Sequence, residues 1–327
     1  MPEKDVTLVI PARNAASTVE RCLGSVTPLL ERPRLKEIIL VDDGSTDETA
    51  ERVRPFCVRY IRGSGAGRGA ARNLGWRAAD TRFIWFVDSD CVAEPDALDI
   101  LLEHVEDEGV AGVGGSYGNM VPESTLASLI HEEIVERHLG MPREVDFLAT
   151  FNTLYRRDYL EAVGGFSEHL SRAQDADLAF RIRRQGGRLE FDARSIVKHY
   201  HSQKLWSYLG VQKDQGFWRM WLYLEHSDKM GGDSYSGILD HLQPPLAMLS
   251  LACLPFGPLA AVALPASLAL AMAQVPMTWR LVRRTGDPRQ LWFVPMGFLR
   301  SYARGLGMSR GALSVLGNRF REGLRKR

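Results

Sequence analysis

Phe83-Ile84-Trp85-Phe86-Val87-Asp88-Ser89-Asp90 sets five apolar residues directly before two acids separated by one residue. A run of that length and composition predicts a buried strand, with Asp88 and Asp90 where the strand ends. Three runs of the same kind precede it, at residues 6–11, 37–41 and 58–61. Between them the pattern predicts helices beginning near Thr18, Thr46 and Gly69. The first two carry capping-box spacings, Ser17-x-x-Glu20 and Ser45-x-x-Glu48. Pro95 fits the first turn of a fourth helix. Strand–helix–strand alternation at this spacing implies an α/β fold, a mostly parallel sheet with helices on both faces. Ligands of such sheets bind at the carboxyl edge of the strands, where Asp88 and Asp90 fall.

Alternate residues of an extended segment point the same way, so the two carboxylates can address one cation. Oxygen ligands suit a hard divalent ion, Mg²⁺ or Mn²⁺, whose chemistry there is Lewis-acid stabilisation of a departing diphosphate. Alone, an Asp-x-Asp reads more often as a solvated turn. A second acid pair, Asp42-Asp43, follows the second strand ahead of Gly44-Ser45. A carboxylate there can accept hydrogen bonds from a base N–H or a ribose hydroxyl, although Asp-Gly is also an ordinary turn.

Taken in order, Val9-Ile10-Pro11-Ala12-Arg13-Asn14, Val41-Asp42-Asp43-Gly44-Ser45-Thr46-Asp47, Gly69-Ala70-Ala71-Arg72-Asn73-Leu74-Gly75 and Asp88-Ser89-Asp90 resemble the family-2 glycosyltransferases. The likeness runs over residues 5–225 and includes Ala173-Gln174-Asp175-Ala176-Asp177-Leu178 and Val197-Lys198-His199-Tyr200-His201. It implies a GT-A fold, in which a nucleotide-binding sheet is joined to an acceptor-binding half. By that resemblance Pro11, Arg13, Asn14, Asp43 and Arg72 would serve the nucleotide-sugar donor. Asp88 would face ribose and metal, and Asp90 and His199 would ligate Mg²⁺ or Mn²⁺, with His201 as the fallback ligand. Asp175 would be the base that deprotonates the acceptor hydroxyl as the anomeric carbon is attacked from behind, inverting its configuration. Gln174 stands where the family usually has glutamate. The Gln-x-x-Arg-Trp pattern of processive synthases is absent; Gln215-Gly216-Phe217-Trp218-Arg219 is a different order. A single transfer per acceptor is expected, from a uridine diphosphate sugar by default, in the manner of cell-envelope polysaccharide assembly.

Beyond residue 109 the pattern predicts strands at 110–117, 145–155 and 188–200 and helices at 125–138, 176–185 and 205–224. The last of these is rich in Trp and Tyr, which favour the headgroup level of a membrane. No charged residue occurs in the 37 positions from Gln243 to Trp279, against about 20 needed for one crossing. Pro255-Phe256-Gly257-Pro258 interrupts them. From Arg280 onward, 12 Lys/Arg face 2 Asp/Glu, a charge balance that suits anionic lipid better than nucleic acid. With no signal peptide evident and a basic flank after the apolar run, an even number of crossings fits. This favours a hairpin or re-entrant pair over one span. The expected organisation is therefore a catalytic domain at 1–230, with a donor half (1–120) and an acceptor half (121–230). A membrane-associated region at 231–327 follows, with a hairpin at about 244–278 and a basic amphipathic tail. Localisation at the cytoplasmic face of the inner membrane and a lipid-linked saccharide or glycolipid acceptor follow from these features. Cys22, Cys57, Cys91 and Cys253 have no C-x-x-C pairing and read as buried thiols in a reducing compartment.

Two other functions fit the pattern less well. A nucleotidyltransferase shares the sheet and the metal acids, but commonly carries a glycine-rich basic first loop, which Pro11-Ala12-Arg13-Asn14 is not. A degenerate scaffold is hinted at by Gln174, against the intact Asp88, Asp90 and Asp175. The run from Gly63 to Gly69 nearly fits a dinucleotide fingerprint, yet it follows the third strand, not the first. It reads as a loop near the donor.

Overall fold

A computed structural model describes residues 4–229, 231 and 233–325, with side chains unassigned at 260 and 318–325. The chain forms two compact units: one takes it up to Met120 and again from His138 to Tyr200, the other holds Val121–Arg137 and the chain from His201 onward.

The first unit begins with β1 (Val6–Ala12), α1 (Val19–Val26), β2 (Leu35–Asp42), α2 (Thr49–Val53), β3 (Arg59–Arg62), α3 (Arg68–Ala78) and β4 (Phe83–Val87). All seven residues of β1 and all five of β4 are buried, which only a sheet covered on both faces demands. β1 pairs in parallel with β2 and β4, and β2 with β3. Alternate side chains feed two cores: Val6, Leu8 and Ile10 on one face, Val9, Ile39 and Phe86 on the other. The short β5 (Cys91–Ala93), α4 (Ala97–Leu102) and β6 (Val110–Asn119) follow. α5 (Thr125–Leu139) belongs to the second unit except for His138 and Leu139. The first unit resumes with β7 (Glu144–Val145), β8 (Asn152–Arg156), α6 (Arg157–Ala162), α7 (Gln174–Arg184) and β9 (Arg188–His199). The strand order is β3-β2-β1-β4-β8-β6-β9-β5, with β7 on β9. The α/β class with parallel pairing of β1 to β4 is as expected, but β8 inserts antiparallel between β4 and β6.

Local expectations fail where distant residues take over the capping atoms. The Ser45 hydroxyl accepts from Asn14 N (2.8 Å), so α2 starts at Thr49 with no side-chain cap. Ser17 does not cap α1 either, and Pro95 lies outside α4, whose cap is Asp96. The single strand expected at 145–155 is two strands, because residues 146–151 leave the sheet. Three cysteines are buried free thiols, but Cys57 is exposed.

The second unit adds α8 (Leu205–Glu225), α9 (Ile238–Cys253), α10 (Ala260–Met272), α11 (Val275–Thr285) and α12 (Phe293–Arg325). Its core gathers Leu129, Tyr208, Leu209, Leu281, Phe293 and Met296. The buried Glu133 of α5 pairs with Arg300 of α12 and with Arg137, which also grips Asp240 of α9. α8 and α12 approach so closely that a Cβ at Gly216, Gly307 or Gly311 would strike the backbone of the opposite helix, at Arg304, Lys213 and Phe217 respectively.

Candidate active site

Three strand ends and one helix start converge in the first unit. β2 ends in Asp42, whose Oδ1 accepts from Ser45 N (2.7 Å) and whose Oδ2 accepts from the Tyr60 hydroxyl (2.5 Å). Burial works against its ionisation, but these two donors outweigh it and hold the carboxyl below its ordinary value. Asp42 is thus committed to holding the turn. The buried Asp43 accepts from Gly67 N (2.9 Å) and lies 3.7 Å from Arg13. Gly67 sits at φ +108°, open to glycine at little cost. This bond ties the glycine-rich loop to Asp43 and frames a cavity of about 240 Å³ lined by Asp43, Gly63, Ser64, Ala66 and Ala70. Asn14 (φ +50°) staples the first loop to the second: its Oδ1 accepts from Thr46 N at 2.9 Å. Pro11 is buried in β1, paired in register with Val41.

α3 carries Arg72 to the end of β4. Its buried guanidinium donates through Nη2 to Asp88 Oδ1 (2.7 Å) and to the Thr150 carbonyl (3.0 Å), above the Phe166 ring (5.5 Å). β5 pairs antiparallel with the end of β9, Cys91 opposite His199. That register brings a residue from 109 positions later beside the acid pair, with His199 Nε2 3.3 Å from Asp90 Oδ2. Burial opposes ionisation of Asp90, but the His199 contact and the field of Arg68 prevail and lower its pKa. A carboxylate oxygen and an imidazole nitrogen at this separation are a donor set that fits Mn²⁺ or Mg²⁺.

Asp175 is the second residue of α7, which starts after Ala173 at φ +64°. Its carboxylate accepts from Ala176 N (2.9 Å). Burial raises its pKa, and the nearby Arg72 charge only partly offsets that. A buried carboxylate of raised pKa that feels the charges of Arg72 and Asp88 is a group able to take a proton.

The structure thus brings Arg72, Asp88, Asp90, Asp175 and His199 into one site, with Asp43, Arg13 and Asn14 around the adjoining loops. Sequence reasoning missed Tyr117. Its ring stacks on Phe151 (centroids 3.4 Å apart) and lies 5.2 Å from the His199 ring. Burial and the surrounding carboxylates Asp88, Asp90 and Asp175 push its phenol well up. Its place at the end of a predicted strand on the ligand-binding edge was the available signal. Also missed was the Asp177–Arg181 ion pair (2.6 Å), through which Arg181 holds the carbonyls of Val163 and Gly165.

Sheet, acid pair and helix-borne carboxylate together fit a GT-A fold. A mannosyltransferase from Pyrobaculum calidifontis shares it, with a TM-score of 0.59 at 20% identity over 94% of this chain and 89% of that one. Residues 7–164 match the model of Glycosyl transferase family 2, and the chain belongs to that family. A pre-mycofactocin glycosyltransferase of Mycobacterium tuberculosis is 30% identical over 237 residues, 69% of this chain and 49% of the relative. An O-antigen chain rhamnosyltransferase of Salmonella typhimurium is 26% identical over 213 residues, 60% of this chain and 67% of the relative. The chain spans about half the length of the mycobacterial relative it matches.

Proposed function

We propose that the chain is an inverting glycosyltransferase that moves one sugar from a nucleoside diphosphate sugar to an acceptor hydroxyl. The placement of Asp175 carries this reading: a carboxylate of raised pKa next to Arg72, in the site that holds Asp88 and Asp90. Asp175 would accept the hydroxyl proton as the oxygen attacks the anomeric carbon, and Arg72 would keep enough of it ionised. Asp90 and His199 would hold Mn²⁺ or Mg²⁺, which when bound offsets charge on the leaving diphosphate. Asp43 and the cavity beside it would take the base, with Arg13, Asn14 and Pro11 shaping that end and Asp88 facing the ribose. Uridine is the default base; guanosine stays in the test because the Pyrobaculum structure was solved with GDP-Man and Mn²⁺.

The acceptor side of the proposal is a lipid-linked saccharide or glycolipid at the cytoplasmic membrane face. The uncharged run from Gln243 to Trp279 and a relative named for an O-antigen chain support it. The test is thermal stabilisation and donor hydrolysis over a panel of nucleotide sugars, with and without Mn²⁺ or Mg²⁺, on detergent-purified protein and on Asp90→Ala. One donor giving a metal-dependent response that the variant lacks supports the reaction class. No response to any donor, even with lipid acceptor present, removes it.

A further inference from the structure

In the second unit several polar side chains are buried while large apolar ones are exposed. Gln274 and Gln290 are fully or nearly fully buried, at 2% and 0% exposure, whereas Leu264 and Leu268 are 76% and 62% exposed. The inner faces of α9, α10 and α12 are joined by polar contacts. Gln274 Nε2 donates to Gln243 Oε1 (2.9 Å), Ser301 Oγ donates to the same oxygen (3.0 Å), and the Tyr302 hydroxyl bridges Ser250 and Ser267 (2.9 and 3.2 Å). Outward point Leu249, Leu254, Phe256, Leu264, Leu268 and Met272. Water disfavours so large a contiguous apolar surface; hydrocarbon accepts it, and it favours polar groups turned inward and paired.

Among the described residues, Gly257–Thr285 is the helical run long and apolar enough to cross a membrane, and only 24% of its most apolar window is buried, unlike a core helix. It is not one straight span. The helix breaks between α10 and α11 at Gln274, and α11 then places Arg284 on Glu132 (2.8 Å) and Glu136 (3.0 Å) of α5, with Arg280 also on Glu136. Such half-exposed ion pairs belong at the depth of water and headgroups. What remains for hydrocarbon is the end of α9, the turn around Pro255 and Pro258, and α10. Residues 249–253 of α9 and the 13 residues of α10 reach about 8 and 20 Å at 1.5 Å per residue, against a core of about 30 Å. Trp279 and Trp292, both exposed, and the exposed Arg283 follow the apolar stretch, the residues that headgroups favour.

We infer that residues 249–272 form a hairpin inserted into a single leaflet, entering and leaving on the same face of the bilayer. The anchoring partner is the lipid surface itself, and the inference rests on the membrane-face reading proposed for the enzyme. The test uses the full chain carrying Phe256→Cys in a bacterial host. Intact spheroplasts, lysed membranes and denatured membranes are treated in turn with a membrane-impermeant maleimide. The exposed Cys57 is the control that reacts on lysis. The expected result is that position 256, 60% exposed at Phe256 in the fold, stays protected through lysis and reacts only after denaturation. Labelling in intact spheroplasts means that the hairpin crosses, and labelling on lysis as fast as Cys57 means that its tip sits in water; either overturns the inference. Protein recovered only in the soluble fraction would overturn the membrane-face reading itself, a separate outcome. Leu264→Asp combined with Leu268→Asp should lower the membrane-bound fraction at least tenfold while donor-induced thermal stabilisation is kept. Unchanged membrane binding would also overturn the inference.

Discussion

Asn73 clasps the Phe166 peptide from both sides: Phe166 N donates to its Oδ1 and its Nδ2 donates to Phe166 O, each at 2.8 Å. A buried amide side chain here does what a neighbouring strand would do. Gly165 makes room for it: its φ is +80°, and an added Cβ would collide with Asn73. The clasp holds the Phe166 ring under Arg72, so Asn73 helps to fix the height of a residue proposed to serve the donor. Asn73→Ala strands a buried N–H and a buried carbonyl, at a cost of about 2–4 kcal/mol. A lowered melting temperature together with reduced kcat is expected; an unchanged melting temperature would show the clasp to be dispensable.

Asp90→Ala and His199→Ala should each abolish the Mn²⁺ dependence of donor binding and lower kcat by about 10²–10³-fold, the range seen when one electrostatic stabiliser is removed. Isothermal titration with the metal alone, compared between variant and parent, separates lost ligation from lost chemistry.

If Asp175 is the base, as proposed, it sets the acid limb of the rate profile. Burial raises its pKa above the ordinary carboxylate value, so kcat/KM should fall on acidification at a higher pH than an unperturbed aspartate would give. Arg72 opposes that rise, so Arg72→Gln should move the limb further up. The sign for stability is the reverse of the usual aspartate case. A folded-state pKa above the unfolded one favours folding while the group is protonated, and that contribution is lost as pH rises through the raised value. Asp175→Asn should therefore abolish transfer yet melt higher than the parent at neutral pH, with the gap narrowing toward acid. Melting curves at several pH values check it, and a destabilised Asn variant would contradict it.

Asp177→Ala leaves Arg181 without its carboxylate, and the Val163–Gly165 carbonyls lose a braced donor. Because Asp177 is buried but Arg181 is partly exposed, a loss of about 2–3 kcal/mol is expected. Chemical denaturation measures it, and a loss below the error of the fit would contradict the clip.

The sheet was readable in the sequence because strands buried on both faces leave uninterrupted apolar runs, as at 83–87. The acids at its edge followed from that alone. What local pattern could not carry was every arrangement decided across distance. Ser45 gave its hydroxyl to Asn14 instead of to a helix, which moved the start of α2. Residues 146–151 left the sheet so that Phe151 could meet Tyr117, which split one expected strand in two. Tyr117 escaped notice for the same reason: its three acidic neighbours come from the turn after β4 and from α7, and nothing near residue 117 announces them.

The seam of Gly216, Gly307 and Gly311 joins α8 to α12 main chain to main chain. Contact of that kind owes little to the expulsion of water, since van der Waals packing of backbones works as well in oil. The pair should therefore keep its spacing whether its outer faces meet buffer, detergent or lipid. A larger side chain at any of the three would pry the helices apart in all of these surroundings alike, so purification in detergent should preserve the geometry that the cell uses.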